Sequence, residues 1–236
     1  HFRWNNQSPT TIGRRALLVN LSDLAAMGAR PLGFTLALAA PPVLPVARMD
    51  ALLTGLLREA KTHRCPLVGG NLSRASETSL TVTVLGATPR GRALRRSGAR
   101  PGDRIFVTGT LGGAGLALAR SSGACVDLSD GFASDLDHIL EASRVGAAID
   151  VARIPLPDGF SAACARQQLD PVQLATRGGE DYELLFTLRR SAAKASSEAA
   201  LSRRLGVRVT QLGEITATPG VKGLPRSVQA RGFRHF

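Results

Sequence analysis

Lysine is almost missing from this 236-residue chain. It stands only at Lys61, Lys194 and Lys222, and the other basic residues are arginine. The formal charge of +12 therefore rests on scattered guanidinium groups, with small local clusters only between 90 and 100. Aromatic residues make up 4%, too few for a base-stacking platform, so no nucleic-acid partner is expected. The three cysteines, Cys65, Cys125 and Cys164, are far apart and form no C-x-x-C pair. That spacing excludes a disulfide framework and a zinc knuckle, and makes a reducing cytoplasm the expected compartment. Long apolar runs are also lacking: the stretch 36–44 is broken by prolines and too short to span a bilayer, so no membrane partner is expected. The polar and basic residues 1–16 hold no signal-peptide core. The chain opens on His1 rather than Met and reads as though cut from a longer sequence.

What is present is the composition of a folded protein, with 44% hydrophobic and 20% charged residues. Helical periodicity covers 9–29, with Ser8 as cap, Pro9 in the first turn and Gly28 as the stop, and returns over 45–63. Strands are expected at 31–39, 66–70 and 79–87, the first apolar enough to be buried on both faces or at an interface. The Arg-, Gly- and Pro-rich stretch 88–102 marks a domain boundary, dividing the chain into 1–98 and 99–236. Beyond it, strands are expected at 103–109, 124–128, 146–151, 181–188 and 207–213. Helices are expected at 112–120, 132–144, near 159–176 and at 190–205. Mixed elements in both halves point to α+β or α/β layers.

Chemistry concentrates in Asp127-Leu128-Ser129-Asp130-Gly131, where a strand end feeds a helix start. Two carboxylates three residues apart, with a hydroxyl between them, can hold a hard cation beside phosphate. Capping of helix 132–144 by Ser129 or Asp130 is the plainer alternative, though it leaves Asp127 without a role. Gly178-Gly179-Glu180 and Gly69-Gly70-Asn71 would each let backbone approach a ligand, or serve only as turns. Thr108-Gly109-Thr110-Leu111-Gly112-Gly113-Ala114-Gly115 fits a dinucleotide-loop pattern. The lone tyrosine, Tyr182, is followed four residues later by Phe186 rather than lysine, which argues against a short-chain dehydrogenase. P-loop and hydrolase-elbow motifs are absent. The histidines are isolated in sequence, and the cysteines read as small core residues.

Several stretches taken in order resemble the thiamine-monophosphate kinase family of the aminoimidazole-ribonucleotide-synthetase-like superfamily. They are NLSDLAAMGA at 20–29, VGGN at 68–71, RSGARPGD at 96–103, DLSDG at 127–131, GGEDYEL at 178–184 and GFRHF at 232–236. The resemblance implies a two-domain α+β fold: an N-terminal α+β half that completes a barrel in a homodimer, and a C-terminal α/β domain. It implies ATP-dependent phosphorylation of thiamine phosphate to thiamine diphosphate, with Mg²⁺ as the cofactor and no side chain acting as a covalent catalyst. Carried over residue by residue, Asp23, Asn71, Asp127 and Asp130 would hold metal. Arg96, Ser129 and Gly70 would bind ATP, while Glu180 and His1 would bind thiamine phosphate. Against the family pattern, the acidic and Gly-rich N-terminal segment is expected before His1 and is not in this sequence, Asn71 stands where the family has an acid, the stretch 115–127 is short, and Ala230 replaces the aromatic before the terminal Gly-aromatic pair. A relative that binds nucleotide or dimerises without turnover is the alternative.

Overall fold

Each half of the protein builds a sheet and covers it with helices drawn from its own sequence. The structure, a computed structural model, describes Phe2, Trp4 and residues 6–110 and 123–225. His1, the helix expected at 112–120 and the terminal motif 232–236 lie outside the described residues. Two compact units form, one of His1–Leu24 and Ala29–Pro89, the other of Ala25–Gly28 and Arg90–Phe236. The mixed α+β class expected from the sequence is the one observed.

The first unit runs α1 (Pro9–Ala26), β1 (Arg30–Ala40), α2 (Val46–Thr62), β2 (Leu67–Arg74) and β3 (Ser79–Ala87). The Ser8 hydroxyl accepts the Thr11 amide at 3.1 Å, which satisfies one of the donors a helix start leaves open. Gly28 ends α1 with φ 65°. The Ala29 amide reaches the Leu24 carbonyl and the Gly28 amide reaches that of Ala25, a Schellman closure. β1 is central in a three-stranded sheet, parallel to β2 and antiparallel to β3.

Only one face of β1 is covered. Phe34, Leu36 and Leu38 pack on Leu17, Leu21 and Leu56 of the two helices, whereas Leu32 is 47% exposed. The expected short strand ending at a Gly69-Gly70 turn is instead a strand that continues to Arg74 and is exposed along its whole length. Both glycines sit inside the ladder, beside a register shift between Phe34 and Thr35. A Cβ on Gly70 would lie 2.0 Å from the Leu36 carbonyl oxygen, so the pair permits close strand approach rather than a turn.

The two helices touch at backbone level. A Cβ on Gly13 would lie 1.9 Å from the Leu52 carbonyl oxygen, and one on Gly55 would lie 2.1 Å from that of Thr10. Alanine in a helix interior ordinarily gains about 1 kcal/mol over glycine. Here the sign reverses: Gly55→Ala is expected to destabilise by about 2–3 kcal/mol, because the helices must part. Urea unfolding of the variant beside the parent protein measures it.

The second unit runs β4 (Arg104–Thr108), β5 (Cys125–Asp127), α3 (Phe132–Ser143), β6 (Gly146–Ile149), α4 (Phe160–Arg166) and α5 (Pro171–Arg177). It continues with β7 (Leu184–Leu188), α6 (Arg190–Ala195), α7 (Glu198–Leu205), β8 (Val209–Thr216) and β9 (Gly220–Lys222). The strand order is β5-β7-β4-β8-β6-β9. The pairings are antiparallel except between β6 and β9. Alternation along the strands sends Ile105, Val107 and Leu185 toward α3, into a core with Phe132, Leu136 and Ile139. Phe106 and Phe186 point the other way, stacked at 5.5 Å between centroids, and pack with Leu201 of α7 and Ala26.

The single helix expected over 190–205 is two. Ser197 interrupts it, and its hydroxyl accepts the Ala200 amide to start α7 afresh. Among the described residues no helix is long and apolar enough to cross a membrane.

Candidate active site

β5 is three residues long and pairs with β7, with Asp127 opposite Leu184. Its short run delivers Asp127, only 4% exposed, to the sheet end, and the chain then turns through Leu128-Ser129-Asp130-Gly131 into α3. The N-cap of α3 is Gly131, with no side-chain cap bond, so neither Ser129 nor Asp130 plays the capping part. Instead the buried Asp135 reaches back from the first turn and accepts the Asp130 amide at 3.0 Å.

The second acidic stretch lies alongside this turn. The Glu180 amide donates to the Ser129 carbonyl and the Tyr182 amide to that of Leu128, while the Leu128 amide donates to the Glu183 carbonyl, each at 2.8 Å. Close approach explains the glycines. A Cβ on Gly179 would lie 2.6 Å from the Ser129 carbonyl oxygen, and one on Gly131 would press on the Arg177 and Gly178 backbone at 3.1 Å. Glu180 and Tyr182 both take positive φ, 71° and 50°, a strained choice for residues with side chains. This kinked backbone also delays β7, which starts at Leu184 rather than at 181.

Together the two turns collect Asp127, Ser129, Asp130 and Glu180, and bring with them buried acids that motif reading passed over. Asp135, Asp181 and Glu183 are 2%, 3% and 2% exposed. Burial pushes the Asp135 carboxyl up to about 7, helped by the negative charges of Asp130 and Asp127. Burial also lifts Glu183 to about 7, and the Asp181 charge adds to the effect. The Thr108 hydroxyl opposes that rise by donating to Glu183 at 2.5 Å.

His138, expected to be isolated, is not. It lies one helical turn beyond Asp135, and ligand atoms of Asp130, Asp135 and His138 fall within 4.8 Å of one another. The i, i+3 spacing on an expected helix was the available signal. The Asp130 and Asp135 carboxylates, held close to Asp127 at a strand end, are hard oxygen donors that fit a divalent cation such as Mg²⁺, with the His138 nitrogen beside them.

Arg96 lies on the same unit, one residue past Arg95. The carbonyl of Arg95 accepts the Cys125 amide at 2.9 Å, where the chain enters β5. The first unit carries the other expected residues. Asp23 is exposed on α1, and Gly70 and Asn71 lie within β2 opposite Leu36 and Ala37.

Residues 1–88 match the family described as AIR synthase related protein, N-terminal domain. The thiamine-monophosphate kinase of Escherichia coli (strain K12) is 36% identical over 270 residues, covering 97% of this chain and 81% of that enzyme. The structure of thiamine-monophosphate kinase from Stenotrophomonas maltophilia K279a is 34% identical and superposes with a TM-score of 0.81, covering 94% of this chain and 80% of that one. AaThiL, solved complexed with AMPPCP and TMP, is 26% identical with a TM-score of 0.83, covering 98% of this chain and 82% of that one. Identity at this level over nearly the whole length places the chain in the thiamine-monophosphate kinase family of the AIR synthase-related superfamily.

Proposed function

We propose that the protein transfers the γ-phosphoryl group of ATP to thiamine phosphate, yielding thiamine diphosphate and ADP. The observation that carries this reading is the pair of acidic turns, 127–131 and 178–183, bonded backbone to backbone at one end of the sheet. AaThiL, which shares 26% identity with this chain, was solved with the ATP analogue AMPPCP and with TMP, and that supports both substrates.

Asp127 and Asp130, with Asp23 and Asn71, would hold Mg²⁺, which when bound offsets the charge of the two phosphate groups. Ser129, Arg96 and Gly70 bind ATP, and Glu180 and His1 bind thiamine phosphate. The acceptor is a phosphate oxygen already ionised near neutral pH, so the residues have orientation and charge to supply rather than a strong base. A new P–O bond joins that oxygen to the γ-phosphorus, and the bond from the γ-phosphorus to the bridging oxygen breaks. ADP leaves with the electron pair. The work is cytoplasmic.

The protein acts as a homodimer. β2 exposes Leu67, Val68 and Leu72 at 41%, 59% and 69%, an apolar edge that a second copy would cover.

Asn71 favours a second reading, a relative that binds nucleotide without turnover, because a neutral amide holds a cation less tightly than a carboxylate. A coupled assay decides between them. ADP should form only with Mg²⁺ and thiamine phosphate together, and Asn71→Asp should raise the rate or leave it equal. Tight AMPPCP binding with no ADP in either protein would establish the second reading.

A further inference from the structure

The loop 95–103 is held at many of its backbone groups, although most of it faces solvent. The Ser143 hydroxyl, on the last residue of α3, accepts the amides of Gly98 and Ala99 at 3.2 and 3.1 Å and donates to the Arg96 carbonyl at 3.4 Å. The nearly buried Asp103 carboxylate accepts the Arg100 amide at 2.9 Å and the Arg189 guanidinium at 2.6 Å. Arg189 also donates to the Gly98 carbonyl at 3.1 Å. Upstream, the Arg95 carbonyl takes the Cys125 amide, and Arg95 bridges Ala124. Within this clamp Ala99 is 5% exposed, whereas Arg96 is exposed and its guanidinium makes no hydrogen bond or ion pair among the described residues.

The loop leaves over the exposed cationic side chains of Arg95, Arg96 and Arg100, which suit an anion, and Arg96 is the one whose own carbonyl the Ser143 hydroxyl holds. We propose that Ser143 is a positioning residue for nucleotide binding: its hydroxyl fixes the backbone on both sides of Ser97 and so aims Arg96 at the ATP phosphates. This rests on the assignment of Arg96 to ATP. The two ends of α3 then serve one task, since the helix starts beside Asp130 and ends on the residue that holds the arginine loop.

The test is calorimetric titration of the full chain with Mg·AMPPCP, which needs no turnover. Ser143→Ala is expected to weaken binding about threefold to tenfold, the effect of one hydrogen-bonding hydroxyl. Ser143→Thr, which keeps the hydroxyl, should stay within about twofold of the parent. Arg189→Lys, which keeps the charge but loses the fork to Gly98, should weaken binding in the same direction. In an Arg96→Ala background, Ser143→Ala should add less than about twofold to the loss of nucleotide affinity, while thiamine phosphate affinity stays at the parental value. Full additivity of the two substitutions overturns the proposal, as does unchanged affinity in Ser143→Ala when Arg96→Ala weakens binding. Unchanged affinity in Arg96→Ala removes the assignment of Arg96 itself, and no nucleotide binding by the parent chain removes both. If Ser143→Ala does not fold, Arg189→Lys tested in the same two backgrounds decides by the same criteria.

Discussion

Asp127→Asn is expected to lower thiamine-phosphate-dependent ADP formation by about 10²- to 10³-fold, the range typical for removing one preorganised electrostatic element. Stability should move the other way or not at all. Asp127 is 4% exposed, and its charge is one of those that push the Asp135 carboxyl upward. Neutralising it relieves repulsion in a turn that several backbone hydrogen bonds already hold. A residue kept for the fold would behave oppositely, with a depressed thermal midpoint and activity falling only in proportion to the unfolded fraction. Two measurements separate the cases: a thermal melt in EDTA, and initial rates across a Mg²⁺ titration. The apparent half-saturation for Mg²⁺ should rise in the variant. Asp130→Asn, at the partly exposed position, should show the same pattern. Parental rates in both variants would remove the acidic turn from the chemistry.

Much of this arrangement is legible in the sequence where the cause is local. Ser8, Pro9 and Gly28 mark the ends of α1 because capping and the left-handed stop act within a few residues. The DLSDG and GGEDYEL stretches announce themselves by composition. What sequence cannot supply is that they meet, since the pairing of Asp127 with Leu184 is set by the sheet and not by any spacing. Burial follows the same rule. Asp135 and Glu183 look like ordinary helix and strand carboxylates until the fold places each at 2% exposure. The Gly69-Gly70 pair misleads for a related reason. Glycine marks close backbone approach as readily as it marks a turn, and only the register against β1 tells which. Ser197 carries the reverse lesson: a helix cap embedded in a continuous helical pattern was readable, and the break between α6 and α7 follows from it.

The buried carboxyl of Glu183 makes the second large expectation, a pH dependence with a defined sign. Its pKa rises from 4.5 to about 7 on folding, chiefly through burial. Between those two values the folded protein holds a proton that the unfolded chain has lost, so stability falls as pH rises through that window and levels off above it. Each unit of difference corresponds to about 1.4 kcal/mol. In Glu183→Gln the amide keeps an acceptor for Thr108 and carries no proton to lose. Relative to the parent, this variant should gain up to about 3 kcal/mol between pH 4.5 and 8, read by urea unfolding in EDTA at several pH values. Asp135 titrates over the same range in both proteins, so the difference between them isolates Glu183. Parallel curves would mean that folding leaves the Glu183 pKa at its unfolded value and would overturn the expectation. The same carboxylate explains Gly109, whose φ is 59° and whose Cβ position lies 1.8 Å from the Glu183 Oε1. Gly109→Ala is expected to cost about 3 kcal/mol or more, through left-handed backbone strain and the displaced carboxylate together. In the Glu183→Ala background the steric part vanishes and only the backbone part persists, so a double-mutant cycle should show strong non-additivity. Simple addition would mean that the carboxylate does not rest on the glycine.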